Sequence, residues 1–176
     1  MEIKHYKISN FKLIMRTMFY LMLLFILGVI VFIAIYKLYG FFNNNFKDGY
    51  IGIGYSLLSV YLIYYFGTVF KLFFQYYRND KNREISIDFQ NNRLIIHNKD
   101  MDFSKTFTKE NLQTIEFNIS TKDSKNLTSE YDFVKLIAVD EKEYFITNLI
   151  LNSSELLDIF PKVKRIIKLN SINYLK

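Results

Sequence analysis

The chain has 176 residues, no cysteine, 14 Tyr and 18 Phe, and a formal net charge of +6. Without cysteine it can hold neither a disulfide framework nor a Cys-based zinc or redox site. The basic excess is not laid out as a nucleic-acid face: residues 1–83 carry ten Lys and Arg against three acidic residues, while residues 84–176 carry thirteen against fourteen, so the positive charge gathers around the apolar stretches, as topology-setting charge does.

Residues 1–16 hold Lys4, Lys7, Lys12 and Arg16, with Ile3, Tyr6, Ile8 and Phe11 between them. They read as a cytoplasmic N-terminal segment, and 3–9 is a candidate strand for a sheet formed later in the chain. Residues 17–36 then run uncharged between Arg16 and Lys37, and residues 49–70 between Asp48 and Lys71. A hydrocarbon core about 30 Å thick needs ~20 apolar residues of helix, so 17–74 is expected to form a two-helix transmembrane hairpin. No small-residue cleavage site follows the first run, which favours an uncleaved anchor over a signal peptide. Four basic residues precede the hairpin and four follow it (Lys71, Arg78, Lys81, Arg83), whereas the connecting loop holds only Lys47 and Asp48. The positive-inside rule then puts both termini in the cytoplasm, on a multi-pass membrane protein.

Gly52 and Ser56 are four apart in the second span, with Ser59 one turn on. Such small residues let helices approach closely, either within the hairpin or against a second copy or partner subunit. Neither span holds a charged residue or a histidine, which argues against an ion or proton pathway. Residues 75–83 read as a polar juxtamembrane linker. Its Arg78, Lys81 and Arg83, with Asp80 among them, are topology determinants or contacts for anionic lipid or a partner.

From Glu84 the apolar period becomes two. Ile85, Ile87 and Phe89 alternate with polar residues, which is the mark of a half-buried strand. Asn91 and Asn92 suit a tight turn with positive φ. Further strands are expected at 94–97, 103–107, 115–119, 131–139 and 144–147, with a polar loop over 121–130. Asn152 with Glu155 three on makes a capping-box signal. The apolar set Leu156, Ile159, Phe160, Val163, Ile166 and Ile167 predicts a C-terminal amphipathic helix, kinked or restarted at Pro161. From Pro161 onward there are five basic residues and no acidic one, and Lys162, Lys164, Arg165 and Lys168 are candidate contacts for lipid head groups or an acidic partner.

The order of membrane hairpin, consecutive strands and terminal helix resembles the bacterial pleckstrin-homology-like (PH-like) membrane proteins, including the YcxB-like kind. The turn-flanked strand pair over 84–98 and the run Glu143-Tyr144-Phe145-Ile146-Thr147-Asn148-Leu149 carry the likeness. The resemblance implies an α+β domain over 84–176: a strongly bent antiparallel sheet or partial barrel, capped by a C-terminal helix. Such a domain has seven strands, and six follow the hairpin, so 3–9 supplies the seventh or the barrel is incomplete. Lipid-binding PH domains use basic residues around the first strand pair. Here Arg93 stands alone, so phosphoinositide binding is not expected.

No catalytic signature is present. His97, with Asp100 and Asp102 nearby, lacks the converging ligands of a metal site, and His5 reads as a surface residue. Asp140, Glu141 and Glu143 fall in a turn, as solvated charge. No nucleophile elbow or phosphate-cradling glycine loop occurs. No catalytic residue, metal or cofactor is therefore expected. The expected partners are the bilayer and a protein partner or second copy, not nucleic acid. The expected function is a non-enzymatic interaction or scaffold module at the membrane. The alternatives are an immunity protein that neutralises a secreted toxin, and an accessory subunit of a transport or secretion complex.

Overall fold

The computed structural model describes residues 3–42, 46–100, 102–121, 126–157 and 159–175. The chain divides into two units, one of residues 10–70 and one of residues 1–9 with 71–176.

The first unit holds α1 (Asn10–Phe42) and most of α2 (Phe46–Asp80). Both helices are long and apolar enough to cross a membrane. Phe25, Phe32, Leu57 and Tyr64 are each more than two-thirds exposed. The Lys37 ammonium pairs with Asp48 at 2.8 Å, and the rings of Tyr20 and Phe70 lie 5.0 Å apart. A Cβ on Gly52 would sit 2.9 Å from the Leu38 backbone nitrogen, so only glycine fits there without moving backbone. Ser56 and Ser59 turn back onto their own helix, donating to the carbonyls of Gly52 and Tyr55. Ser59 is nonetheless buried.

In the second unit, β1 (Ile3–Tyr6) pairs antiparallel with β2 (Arg83–Asp88), with Tyr6 opposite Ile85. The two long helices are thus an insertion between two neighbouring strands. β3 (Arg93–Asn98) and β4 (Phe103–Phe107) complete a sheet of order β1-β2-β3-β4. The turn into β3 has Asn92 at φ 48°. The Asp88 carboxylate accepts from the amides of Gln90 and Asn91 and closes it. The second sheet has the order β7-β6-β5-β8, built from β5 (Leu112–Ser120), β6 (Phe133–Ala138), β7 (Glu143–Thr147) and β8 (Lys164–Asn170).

The period-two pattern sorts side chains onto two faces. Ile85, Ile87, Leu94, Ile96 and Phe107 of the first sheet share one core with Ile115, Phe117, Val134, Leu136 and Ile146 of the second. Each such side chain contributes about 1.5–3 kcal/mol by leaving water. Leu151, Leu156, Ile159, Phe160 and Val163 join this core from the segment after β7. Among the described residues no hydrogen-bonded barrel closes: the ladders form two separate four-stranded sheets.

The C-terminal amphipathic helix is corrected. Helix α3 is only Ser153–Leu156, and the chain then returns as β8, parallel to β5 from Thr114↔Lys164 to Ser120↔Asn170. Proline at 161 supplies no N–H and clashes with the preceding turn. Beyond it the β-branched Val163, Ile166 and Ile167 favour extended backbone. β5 also offers an edge whose N–H and C=O groups would otherwise stay unpaired. The apolar set identified for the helix is buried as far as Val163, but Ile167 is 63% exposed. Residues 75–80, read as linker, continue α2. The polar loop expected over 121–130 lies partly outside the described residues. Its described end is folded, with Asn126 accepting from Thr128 and Thr128 1% exposed.

Candidate functional site

Of the basic residues singled out near the C-terminus, Lys164, Arg165 and Lys168 sit on β8, whose side chains point alternately to its two faces, while Lys162 precedes the strand. Arg165 lies on the core-side face and donates to the carbonyls of Leu157 and Phe160. Lys168 lies on the outer face and pairs with Glu116 at 2.8 Å. Lys162 and Lys164 are exposed. The group near residue 80 divides likewise. Arg78 and Lys81 are exposed, while Arg83 turns inward and donates to Asn79 Oδ1 and the Phe145 carbonyl, each at 3.0 Å. Burial lowers the Arg83 pKa, and the Asp80 charge opposes that shift.

What the sequence did not reveal is a buried polar joint between the end of α2 and the second sheet. Leu72, Tyr76 and Asp80 are fully buried. The single Tyr76 hydroxyl proton is shared between the carbonyls of Asn173, at 2.9 Å, and Tyr131, at 3.1 Å. Burial, and then the Asp132 and Asp80 charges, raise the Tyr76 pKa. The Thr147 hydroxyl donates to Asp80, and the Asn79 amide donates to its other oxygen at 2.5 Å. Burial outweighs these donors and the Arg83 charge, so the Asp80 carboxyl is pushed up to about 7. Asp132 is raised by burial as well, against a bond from the Ser120 amide and one from Asn173. The signal was a lone acid amid basic residues, directly before a strand.

A second tie joins the chain's start to α3. The Tyr6 hydroxyl donates to Glu155 at 2.5 Å, and burial with this partner pushes Tyr6 up to about 12. Asn152 caps α3 through the Ser154 amide.

Beside the joint, the outer face of the second sheet and the C-terminal segment enclose a cavity of about 290 Å³, lined by Glu116, Asn118, Lys135, Lys168, Asn173 and Tyr174 among others. Its cations are already engaged: Lys168 by Glu116, and Lys135 by Glu143 at 2.5 Å. Elsewhere His5 bonds Ser86, Asp100 accepts from Asn82, and Asp140 meets Lys105 and Lys142. Among the described residues no three His, Asp or Glu gather to hold a metal ion. The buried carboxylates and amides here fasten elements of the fold together.

The family model described as "PH domain" matches residues 5–159. That span includes both long helices as well as strands of both sheets. No curated protein and no solved structure matches the chain.

Proposed function

We propose, since this chain belongs to the PH domain family, that it is a non-enzymatic protein of the bacterial inner membrane, of the YcxB-like kind. Its PH-like domain faces the cytoplasm and acts as a protein-interaction or scaffold module. The observation that carries this reading is the pairing of β1 with β2 on either side of the two apolar helices. Strands bonded to each other share one aqueous compartment, so both ends of the hairpin lie on one side of the bilayer whichever way it inserts. The four basic residues on each flank select the cytoplasm. A domain of this family, with polar groups used for internal fastening, contributes surface and location rather than reactivity. The sheet edges and the exposed residues Arg78, Lys81, Lys162 and Lys164 are its proposed contacts with a partner or with anionic lipid.

Two measurements test this. Reporter fusions at both termini should be active only as cytoplasmic reporters, and the protein should resist alkaline extraction from membranes. Crosslinking in living cells should give discrete protein adducts on the PH-like domain. Periplasmic termini, or recovery of lipid adducts with no protein, overturns the reading.

A further inference from the structure

We propose that the free edge of β8 receives an extended segment of a partner protein by strand addition, and that this segment alternates acidic with aliphatic residues. The inference rests on the protein-interaction reading above and names the surface and chemistry it would use.

β8 is an edge strand: among the described residues its only ladder is to β5. Half of its backbone N–H and C=O groups therefore point away from the sheet, a template for another strand. It runs seven residues in unbroken register, against four for β1 and five each for β4 and β7, the other edge strands. No proline or register shift blunts it. The side chains complete the pattern. Register puts Ile167 and Leu169 on the face of Ile115 and Phe117, yet they are 63% and 67% exposed. They prolong the row of core residues past the point where the domain covers it. Lys164 and Lys168 are on the opposite face. An added strand would meet Ile167 and Leu169, with Arg165 before them, on one face, and Lys164 and Lys168, with Ile166 between them, on the other, and cross-strand aliphatic and opposite-charge pairs are stabilising.

Charge decides the occupant. Residues 162–168 hold Lys162, Lys164, Arg165 and Lys168 and no acid. A second copy of β8 would bring Lys164, Arg165 and Lys168 against the same three cations. A lipid surface supplies phosphate acceptors but no row of donors for the strand's carbonyls.

The test uses the full chain in lipid nanodiscs and a fluorescent ten-residue peptide alternating Glu with Val, read by anisotropy. It should bind, and bind at least tenfold more weakly when alternate backbone amides are N-methylated. A Lys-for-Glu peptide should bind at least tenfold more weakly to the native chain, and regain affinity for the double variant Lys162→Glu, Lys164→Glu. Ile167→Thr, at an exposed site that leaves the core alone, should weaken the Glu–Val peptide severalfold. Equal binding of the N-methylated peptide, or indifference to the charge reversal, overturns strand addition. An edge that is merely guarded by lysine binds neither peptide and also overturns it. Ile167→Cys gives this cysteine-free chain one thiol, and a disulfide-linked homodimer through it would put a second copy there instead. Protein adducts in cells that survive the charge reversal would leave the interaction reading standing and remove only the β8 site.

Discussion

The Tyr76 hydroxyl lies 2.9 Å from the carbonyl oxygen of Asn173, a residue 97 positions further along the chain. That single bond fastens the last turns of α2 to the C-terminal segment, and the same hydroxyl reaches Tyr131. The Tyr76 ring packs edge-on against Tyr131, with centroids 5.1 Å apart. α2 therefore ends as part of the folded domain, not as a tether to it.

Tyr76→Phe keeps the ring and removes the proton. Two buried carbonyls lose a donor, although Asn173 still donates to Tyr131. The expected cost is about 1–3 kcal/mol, because buried acceptors left unpaired forfeit their solvation. Denaturant unfolding of the full chain in detergent measures it, with β-sheet circular dichroism as the signal. A loss below a few tenths of a kcal/mol would mean that the joint does not stabilise the domain.

Asp80 gives the joint a pH dependence. Its folded pKa is raised from 3.8 to about 7, so the folded state holds a proton that the unfolded chain releases. Between pH ~4 and ~7 the folded state binds more protons, and stability falls as pH rises through that window. The contribution is fully present below the unfolded value and lost above the folded one. The melting temperature should therefore decline from pH 5 to pH 7.5, and in Asp80→Asn the decline should be much shallower. Arg83, whose charge faces Asp80, stays ionised throughout and does not alter the sign. Glu84, Asp88 and Asp140 have lowered pKa values. Their stabilisation is lost only in acid, below the window. Parallel curves for the two proteins would remove Asp80 as the titrating group.

Gly52 tests the hairpin. A side chain there would meet the Leu38 backbone at 2.9 Å, and backbone cannot rotate out of the way as a side-chain end can. Gly52→Val should force the two helices apart near their connection and lower the thermal stability of the detergent-solubilised chain by several degrees. Gly54→Val is the control, since a Cβ at Gly54 meets nothing within 4 Å. Equal effects at both positions would show a loss of glycine flexibility rather than of close approach.

Local pattern carried the strands but not the chain's return. The alternating Ile85 and Ile87 and the Asn91-Asn92 turn stand in the structure as β2, its turn and β3, with Phe89 already in the turn, because period and turn chemistry are set within a few residues. Asn152 likewise caps α3. Glu155 three positions on fits a capping box, yet its carboxylate serves Tyr6, a partner no local rule could supply. Leu156, Ile159, Phe160 and Val163 were correctly marked for burial, but burial does not distinguish a helix from an irregular lid followed by a strand. The deciding fact, an open β5 edge, is a property of the assembled sheet. Asp80 was missed for the same reason: a lone acid among Arg78, Lys81 and Arg83 marks the position, but only the assembled sheet brings Thr147 to it.

Arg165 and Lys162 separate the two readings of the basic tail. On an amphipathic helix both would be solvated and equivalent. On the observed backbone Arg165 donates to two carbonyls, of Leu157 and Phe160, that end the lid over the core, while Lys162 is exposed. Arg165→Ala should cost about 1 kcal/mol, the net value of a hydrogen-bonded charge after allowance for solvent at an exposed site. Lys162→Ala should stay within about 0.5 kcal/mol of the native chain, as surface substitutions do. Amide hydrogen exchange sharpens the comparison, because loss of the Arg165 clamp should speed exchange in β8 and in the segment before it, leaving β2 and β3 unchanged. If the two alanine variants prove equally neutral, the guanidinium does not hold the lid, and β8 is kept in place by its ladder to β5 alone.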